Sequence, residues 1–532
     1  MEASSTYIRG TSLGQLLRLI SNGKILRYPE EDDSSLYASS LVKSIASQTE
    51  GPIDERERQQ HRNTLHEQQG TIEDPEPCYR QSNPLRIVCK SNNVEWYGPD
   101  DPENPTNWSS VKKLFVTCQL CFLNLVVYMG SSIYSSGELG VMNHFDVSEV
   151  VVTLGLTLFV LGYGFGPMLW SPMSGIPKIG RNPIYIWTLA VFVVLQIPIA
   201  LATNISMILV FRFITGDRLP YPHPGIISAK GQLGFFGSPI FATGGASISD
   251  MYMPSNRAYG IAIWGALGVC GPVLGPLVGG FLSESLGWTW TIWSLMCITG
   301  FAFVVCFVFL PETSGSSILY HRAQRIRNLT QDKSIRTQVE DSQAEISLMR
   351  SIHTSVVEAF SLTFLEPIIL FVNLYVALVY GLLYVWFESF DIVFIGVYSF
   401  SLGEEGLCFL GILIGGVVVV PLYLWYYHVK IRPEFSKNGD IRPEEFIPPA
   451  CIGGFAIPIC LFWFGWTARE SIHWVVPVAG SAFFTFGVVL LFNPVLNYLG
   501  ATYPQHAASV FGGNAFVRST FGAAFPLFVR AS

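Results

Sequence analysis

The feature that most constrains this chain is a series of apolar runs, each roughly twenty residues long and nearly free of charge. A helix of that length spans a hydrocarbon core of about 30 Å. Lipid offers no partner to backbone N–H and C=O groups, so such runs cross a membrane as helices. They lie near 114–134, 150–170, 183–203, 205–248, 259–282, 290–310, 367–387, 405–427, 448–466, 473–497 and 508–528, the fourth being interrupted. The expected fold class is therefore all-α integral membrane. A charged connection at 311–360 separates six helices from five. Composition agrees: only 13% of residues are charged, about half the usual share of a soluble domain.

Basic residues set the expected orientation. Lys112, Lys113, Lys178, Arg181, Arg257, Arg322, Arg325, Lys430 and Arg432 fall on alternate connections. The opposite connections carry Glu138, Asp146, Glu149, Glu284, Asp391, Glu404 and Glu405, with Arg469 their one clear base. Positive charge is retained on the cytoplasmic side, which places the N-terminus there. Residues 1–112, rich in Ser, Glu, Gln and Pro, read as a largely disordered cytoplasmic tail. Within it, Leu13, Leu16, Leu17, Ile20 and Leu26 recur near helical spacing, which suits an amphipathic helix on the inner leaflet. A bundle over 113–310, a loop over 311–360 and a second bundle over 361–532 complete the expected domains.

Several function classes are excluded by what the chain lacks. There is no GxxxxGK[ST] phosphate cradle, and the glycine runs at 162–167 and 244–247 have no lysine beside them. Of ten cysteines, eight lie in apolar runs as small hydrophobes, with no zinc spacing. No catalytic set assembles at membrane depth. The reading is of a protein that is not an enzyme, with no cofactor, no metal and no nucleic-acid partner.

The most informative pattern is GVCGPVLGPLVGGFL at 268–282. Gly271, Gly275 and Gly279 recur every four residues and leave one flat helix face, Gly280 follows in the same helix, and Pro276 removes a backbone hydrogen bond and allows a kink. Together with GPDDPENPTNWS before the first run, SPMSGIPKIGRNP at 171–183, RFITG at 212–216, GWTWTIW at 287–293, FLPET at 309–313 and YGLLYVWFESF at 380–390, the chain resembles the fungal drug:proton antiporters of the major facilitator superfamily. The likeness runs from about residue 11 onward. It implies two pseudo-symmetric bundles, export of small lipophilic compounds (drugs, toxins or a fungal secondary metabolite) and inward movement of protons. By resemblance, Gly271, Gly275, Pro276, Gly279 and Gly280 form the antiporter motif, and Lys178, Gly180 and Arg181 the loop motif. Arg212 is then the residue implicated in proton coupling. Glu388 and Asp391 serve either the proton or substrate path or a solvated rim. Tyr128, Tyr134, Tyr163, Trp264, Trp386 and Phe387 are candidates for a greasy cavity, and Arg518 is an ionisable residue at membrane depth. Asn204 begins an outer sequon. The plasma membrane, a monomer, and small lipophilic substrates with protons as partners complete the expectation; a non-transporting relative and a polyamine exporter are the alternatives.

The chain departs from that pattern in four places. Gly175 stands where the loop usually has an acid, and Thr289 where an arginine is usual. The resemblance implies a twelfth helix, whereas the eleventh run ends at FPLFVRAS. Residues 217–234 carry Asp217, Arg218, Lys230 and three prolines inside what is otherwise one helix motif. Each such charge costs about 2.5–3.5 kcal/mol at the bilayer centre, so the segment reads as an insertion, such as a retained short intron.

Overall fold

The computed structural model describes residues 7–32, 93–212, 233–342, 348–438 and 441–529. Its long elements are the expected apolar runs wound as helices. Ser109 accepts a hydrogen bond from Lys112 N and so starts α1 (Ser110–Ser132), four residues before the apolar run itself. Then come α2 (Glu149–Ser174) and α3 (Asn182–Ala200). The third run stops short of residue 203 because Asn204 Oδ1 accepts from Met207 N and opens the next helix. That fourth span, α4, is in pieces: Ile205–Arg212, Leu233–Gly237 and Ile240–Met251. It is followed by α5 (Pro254–Leu286) and α6 (Thr289–Phe309). The second set is α7 (Pro367–Phe390), α8 (Leu402–Cys408 and Leu410–Tyr426), α9 (Pro448–Thr467), α10 (Val475–Thr502) and α11 (Ala507–Val529). Proline opens α5, α7 and α9, where its missing N–H is no loss.

Among the described residues, nine helices are long and apolar enough to cross a membrane on length and composition. The broken α4 and the more polar α11, with Asn514 and Arg518, fall outside that set. The two sets of helices meet along two seams, α2 against α11 and α5 against α8. The end bearing most of the basic connections is called the basic end, the other the acidic end.

The predicted insertion at 217–234 lies almost wholly outside the described residues, but its flanks are informative. Arg212 Nε donates to Gly155 O on α2, 2.8 Å away. A Cβ on Gly234 would lie 2.2 Å from Phe159 O of the same helix. Gly155 and Phe159 are four residues apart, so the chain leaves α2 and returns to it within about one helical turn. Deleting 217–234 would set Gly216 directly before Phe235, in the place Gly234 now holds, and Gly216 is four positions after Arg212 (216 − 212 = 4), the same interval.

The basic end corrects part of the expectation for the tail. Residues 7–32 and 93–109 are ordered against the bundle rather than loose. Thr11 caps the helix Ser12–Ile20, as Gly14 N donates to its hydroxyl, and Ser12 bonds to Asn182 at the start of α3. Leu16, Leu17, Leu19 and Ile20 stay exposed beside the ends of α3 and α6. The connection expected as a loop at 311–360 contains the helix Gly315–Thr330, whose Arg322 is fully buried. Arg322 donates to both carboxylate oxygens of Asp101, at 2.7 and 3.2 Å, and to Glu103 at 2.8 Å. Arg325 reaches Glu30 at 2.7 Å.

Burial alone would raise the Asp101 carboxyl, but the hydrogen bonds and charge of Arg322 hold it below its ordinary value. A depressed carboxyl stabilises the folded form above its unfolded pKa and loses that contribution as pH falls through the folded value. The lock is therefore at full strength at neutral pH and weakens only under acid. Replacing Arg322 by Met leaves the buried Asp101 carboxylate without its partner, which costs about 3–5 kcal/mol, while Glu103 keeps Arg9 and Arg325. Limited proteolysis is expected to cut the 93–109 segment of that variant at protease levels that leave the parent intact; equal protection would refute the lock.

Candidate functional site

The seams hold the chemistry, and α5 shows how closely they approach. A Cβ on Gly271 would sit 2.6 Å from Leu125 O, on Gly275 1.9 Å from Ser132 Oγ, and on Gly279 2.9 Å from Ile133 O. These three glycines form the face that lets α5 lie directly on α1. Gly280 points the other way, since its Cβ would meet Leu402 O at 2.4 Å, and a Cβ on Gly406 would meet Pro276 O at 2.7 Å. The helix carrying the motif thus touches its own bundle on one side and the start of α8, in the other bundle, on the second. Gly275→Val is expected to lower the melting midpoint, because overpacking costs about 1–3 kcal/mol or more where backbone faces backbone. A detergent thermal-shift assay checks this, and an unchanged midpoint would show that α1 and α5 have room.

The loop after α2 finds its charge partners from outside. Gly180 has φ +75°, and a side chain there would lie 2.5 Å from Glu312 Oε2. Glu312 accepts hydrogen bonds from Arg181 N and Asn182 N at 3.0 and 3.1 Å, and from Thr313 N and Ser314 N. Burial raises its carboxyl above the ordinary range against the pull of those amides. Arg181 pairs with Asp250 at the end of α4, 2.9 Å away, while Lys178 is exposed. Asp250 and Glu312 thus bring negative charge to this loop from α4 and from the segment after α6.

Three cavities follow the boundary between the bundles. At the basic end, α4, α5, α10 and α11 border a space of about 980 Å³ that includes Arg257 and Asn497. In the middle, α1, α5, α7, α10 and α11 close around about 30 Å³, little more than a water needs. At the acidic end, about 370 Å³ opens between the segment 135–142 after α1, the start of α2 and the far end of α7.

The central wall contains Tyr128 and Trp264 of the expected aromatic set, with Asn124, Tyr380, Leu383, Phe492 and Arg518. Tyr163 lies just behind it. Its hydroxyl is 2.8 Å from that of Tyr380 and 2.7 Å from that of Tyr384, which donates onward to Ser131. Four hydroxyls from both bundles thus form one chain. The other three aromatics do not line the cavity: Trp386 packs on Phe464 and Phe484, Phe387 on Phe409, and Tyr134 on Arg212. Helical spacing could not separate these cases, because every face of a bundle helix touches either protein or lipid.

Arg212 is fully buried at the end of the first α4 piece, 4.0 Å from the Tyr134 ring and 4.9 Å from Phe159. Glu138 lies near enough to act on its charge and itself borders the acidic-end cavity. Glu388 and Asp391 border the same cavity. Glu388 is buried rather than on a solvated rim. Asp391 starts a π-helical turn, Asp391–Val397, a distortion that re-aims side chains and often marks functional sites. Its carboxyl lies close enough to act on that of Glu405, which is buried in the first turn of α8.

Sequence reasoning placed Glu405 on an outer connection, and here it was wrong. The usable signal was SLGE at 401–404. Ser401 and Glu404 form a capping box, so α8 begins there and Glu405 already lies inside it, about 100° around the helix from Glu404. Asn204 is exposed, with its carbonyl spent on Met207 N.

Comparison with known proteins gives a consistent picture. A family model described as Major Facilitator Superfamily matches residues 120–526. "Transporter mfs1" of Schizosaccharomyces pombe is 43% identical over 439 residues, 82% of this chain and 79% of that protein. "Fluconazole resistance protein 1" of Saccharomyces cerevisiae is 38% identical over 438 residues, 82% and 76% of the two chains. "Cycloheximide resistance protein" of Candida maltosa is 33% identical over 532 residues, covering 99% and 91%. Among solved structures, the proton:xylose symporter XylE superposes with a TM-score of 0.54 at 14% identity, over 80% of this chain and 90% of that one, a likeness of fold.

Proposed function

The chain belongs to the Major Facilitator Superfamily, and from that membership we propose that it exports small lipophilic compounds in exchange for protons. It is a transporter, not an enzyme. Relatives named for resistance to fluconazole and cycloheximide support export of such compounds. The carrying observation is the middle cavity, walled by both bundles and flanked by a larger space at each end. Rocking the bundles about it exposes one site to either side in turn. The aliphatic and aromatic wall suits a lipophilic cargo.

In this reading the basic end and the N-terminus face the cytoplasm, the acidic end faces outward, and a monomer works in the plasma membrane. Protons enter at the acidic-end cavity. Two neighbouring carboxyls, one of them buried, do not readily both ionise, so Asp391 and Glu405 form a natural carrier of one proton. Arg212, near Glu138, would relay the charge state to α4. The aromatic wall and the absence of any carboxylate from it count against a polyamine cargo.

The test is efflux of a lipophilic dye from yeast cells expressing the chain, with and without a protonophore. Efflux that stops when the proton gradient collapses supports the reading. Efflux indifferent to the protonophore, or none beyond empty-vector cells, overturns it. A non-transporting protein is the second reading, favoured by the interruption in α4.

A further inference from the structure

The wall of the middle cavity contains one charged side chain, and it is a cation, Arg518 of α11. Only 4% of it is exposed. Its Nη2 donates to the Tyr128 hydroxyl, 2.6 Å away across the seam. Its guanidinium lies 4.7 Å from the ring centres of both Tyr380 and Phe492, which also line the cavity. Among the described residues, its Nε has no hydrogen-bond partner. Among the described residues, no carboxylate forms an ion pair with it; Glu388 and Asp391 belong to the cavity at the acidic end.

A guanidinium does not shed its proton, so the charge stays wherever the side chain is buried. Aromatic faces and one phenol offset part of the desolvation, but a buried cation without a counter-charge keeps an unmet demand for an anion. A fully formed neutral-drug pocket has no need of such a group. Resting on the exporter reading, we infer that the preferred cargo is a lipophilic organic anion, an aromatic or aliphatic carboxylate. Its carboxylate takes the Nε side of Arg518, where planar donors match planar acceptors. When the bundles part and widen the cavity, its apolar body lies against Val376, Val379, Leu383, Val488 and Leu491.

The experiment compares naphthoate with its uncharged methyl ester, which share one apolar body, by equilibrium dialysis against the detergent-solubilised full chain. The parent is expected to bind the acid roughly tenfold or more tightly than the ester, the usual scale for one charge-assisted contact. Arg518→Gln is expected to lose that preference while still binding the ester, and Arg518→Lys to keep part of it. Equal binding of acid and ester by the parent overturns the inference, as does binding of neither. So does a preference that survives in Arg518→Gln. The parent comparison stands even if a variant fails to fold. Binding needs no transport. A parent that favours the acid yet moves neither compound would sink the exporter reading and leave the anion site intact.

Discussion

A variant lacking residues 217–234 is expected to reach the membrane in several-fold greater amount than the full chain, and to export more per cell. The first piece of α4, Ile205–Arg212, is 8 residues long, which is about 12 Å of helix and far short of the core. Three charges follow at membrane depth in the sequence, each carrying about 2.5–3.5 kcal/mol of insertion cost. A difference of even about 1–2 kcal/mol changes cellular abundance several-fold. The flanks are already placed for the shortened chain, since Arg212 and Gly234, whose place before Phe235 Gly216 would take, meet α2 one turn apart. Quantitative immunoblotting of purified membranes, alongside dye efflux, measures both effects. If the full chain exports and the shortened one does not, residues 217–234 are a working part of the protein and the insertion reading is wrong. If only the shortened one exports, the non-transporting reading holds for the full chain.

Asp391→Asn is expected to abolish concentrative export while leaving downhill exchange. An amide can still donate to Glu405, so the local packing and the α7 turn should survive; what disappears is the pair's ability to load and release a proton. One pH unit across the membrane, coupled through one proton, sustains about a tenfold concentration ratio of cargo. Proteoliposomes with a one-unit gradient should therefore show a roughly tenfold ratio with the parent and none with Asp391→Asn, whereas counterflow of labelled cargo continues in both. Glu405→Gln should behave in the same way. A variant that still concentrates its cargo would move the proton site elsewhere, with Arg212 and Glu138 next in line.

Much of the fold follows from one-dimensional facts. Burial of an unpaired amide in lipid is so costly that twenty apolar residues have only one conformation open to them, and proline or serine at the right place starts each helix. Hence nine of the expected spans and the flat glycine face of α5 could be read directly. The same physics flagged 217–234, because charge and proline conflict with that conformation wherever the helix packs.

What the sequence could not decide is which neighbour each helix face meets. Tyr128 and Trp386 are both buried aromatics on apolar helices, yet one walls the cavity and the other sits in the core of the second bundle. Glu404 and Glu405 are adjacent and alike, but one caps a helix and the other faces Asp391 within the second bundle. Arg518 gained its phenol, its aromatic faces and its place in the cavity only when α11 packed beside α1, α7 and α10. Helical periodicity says that a residue has a face, while the partner of that face comes from a chain segment hundreds of positions away. Only the tertiary structure supplies that partner, and with it the local charge balance that turns a buried arginine into a binding site.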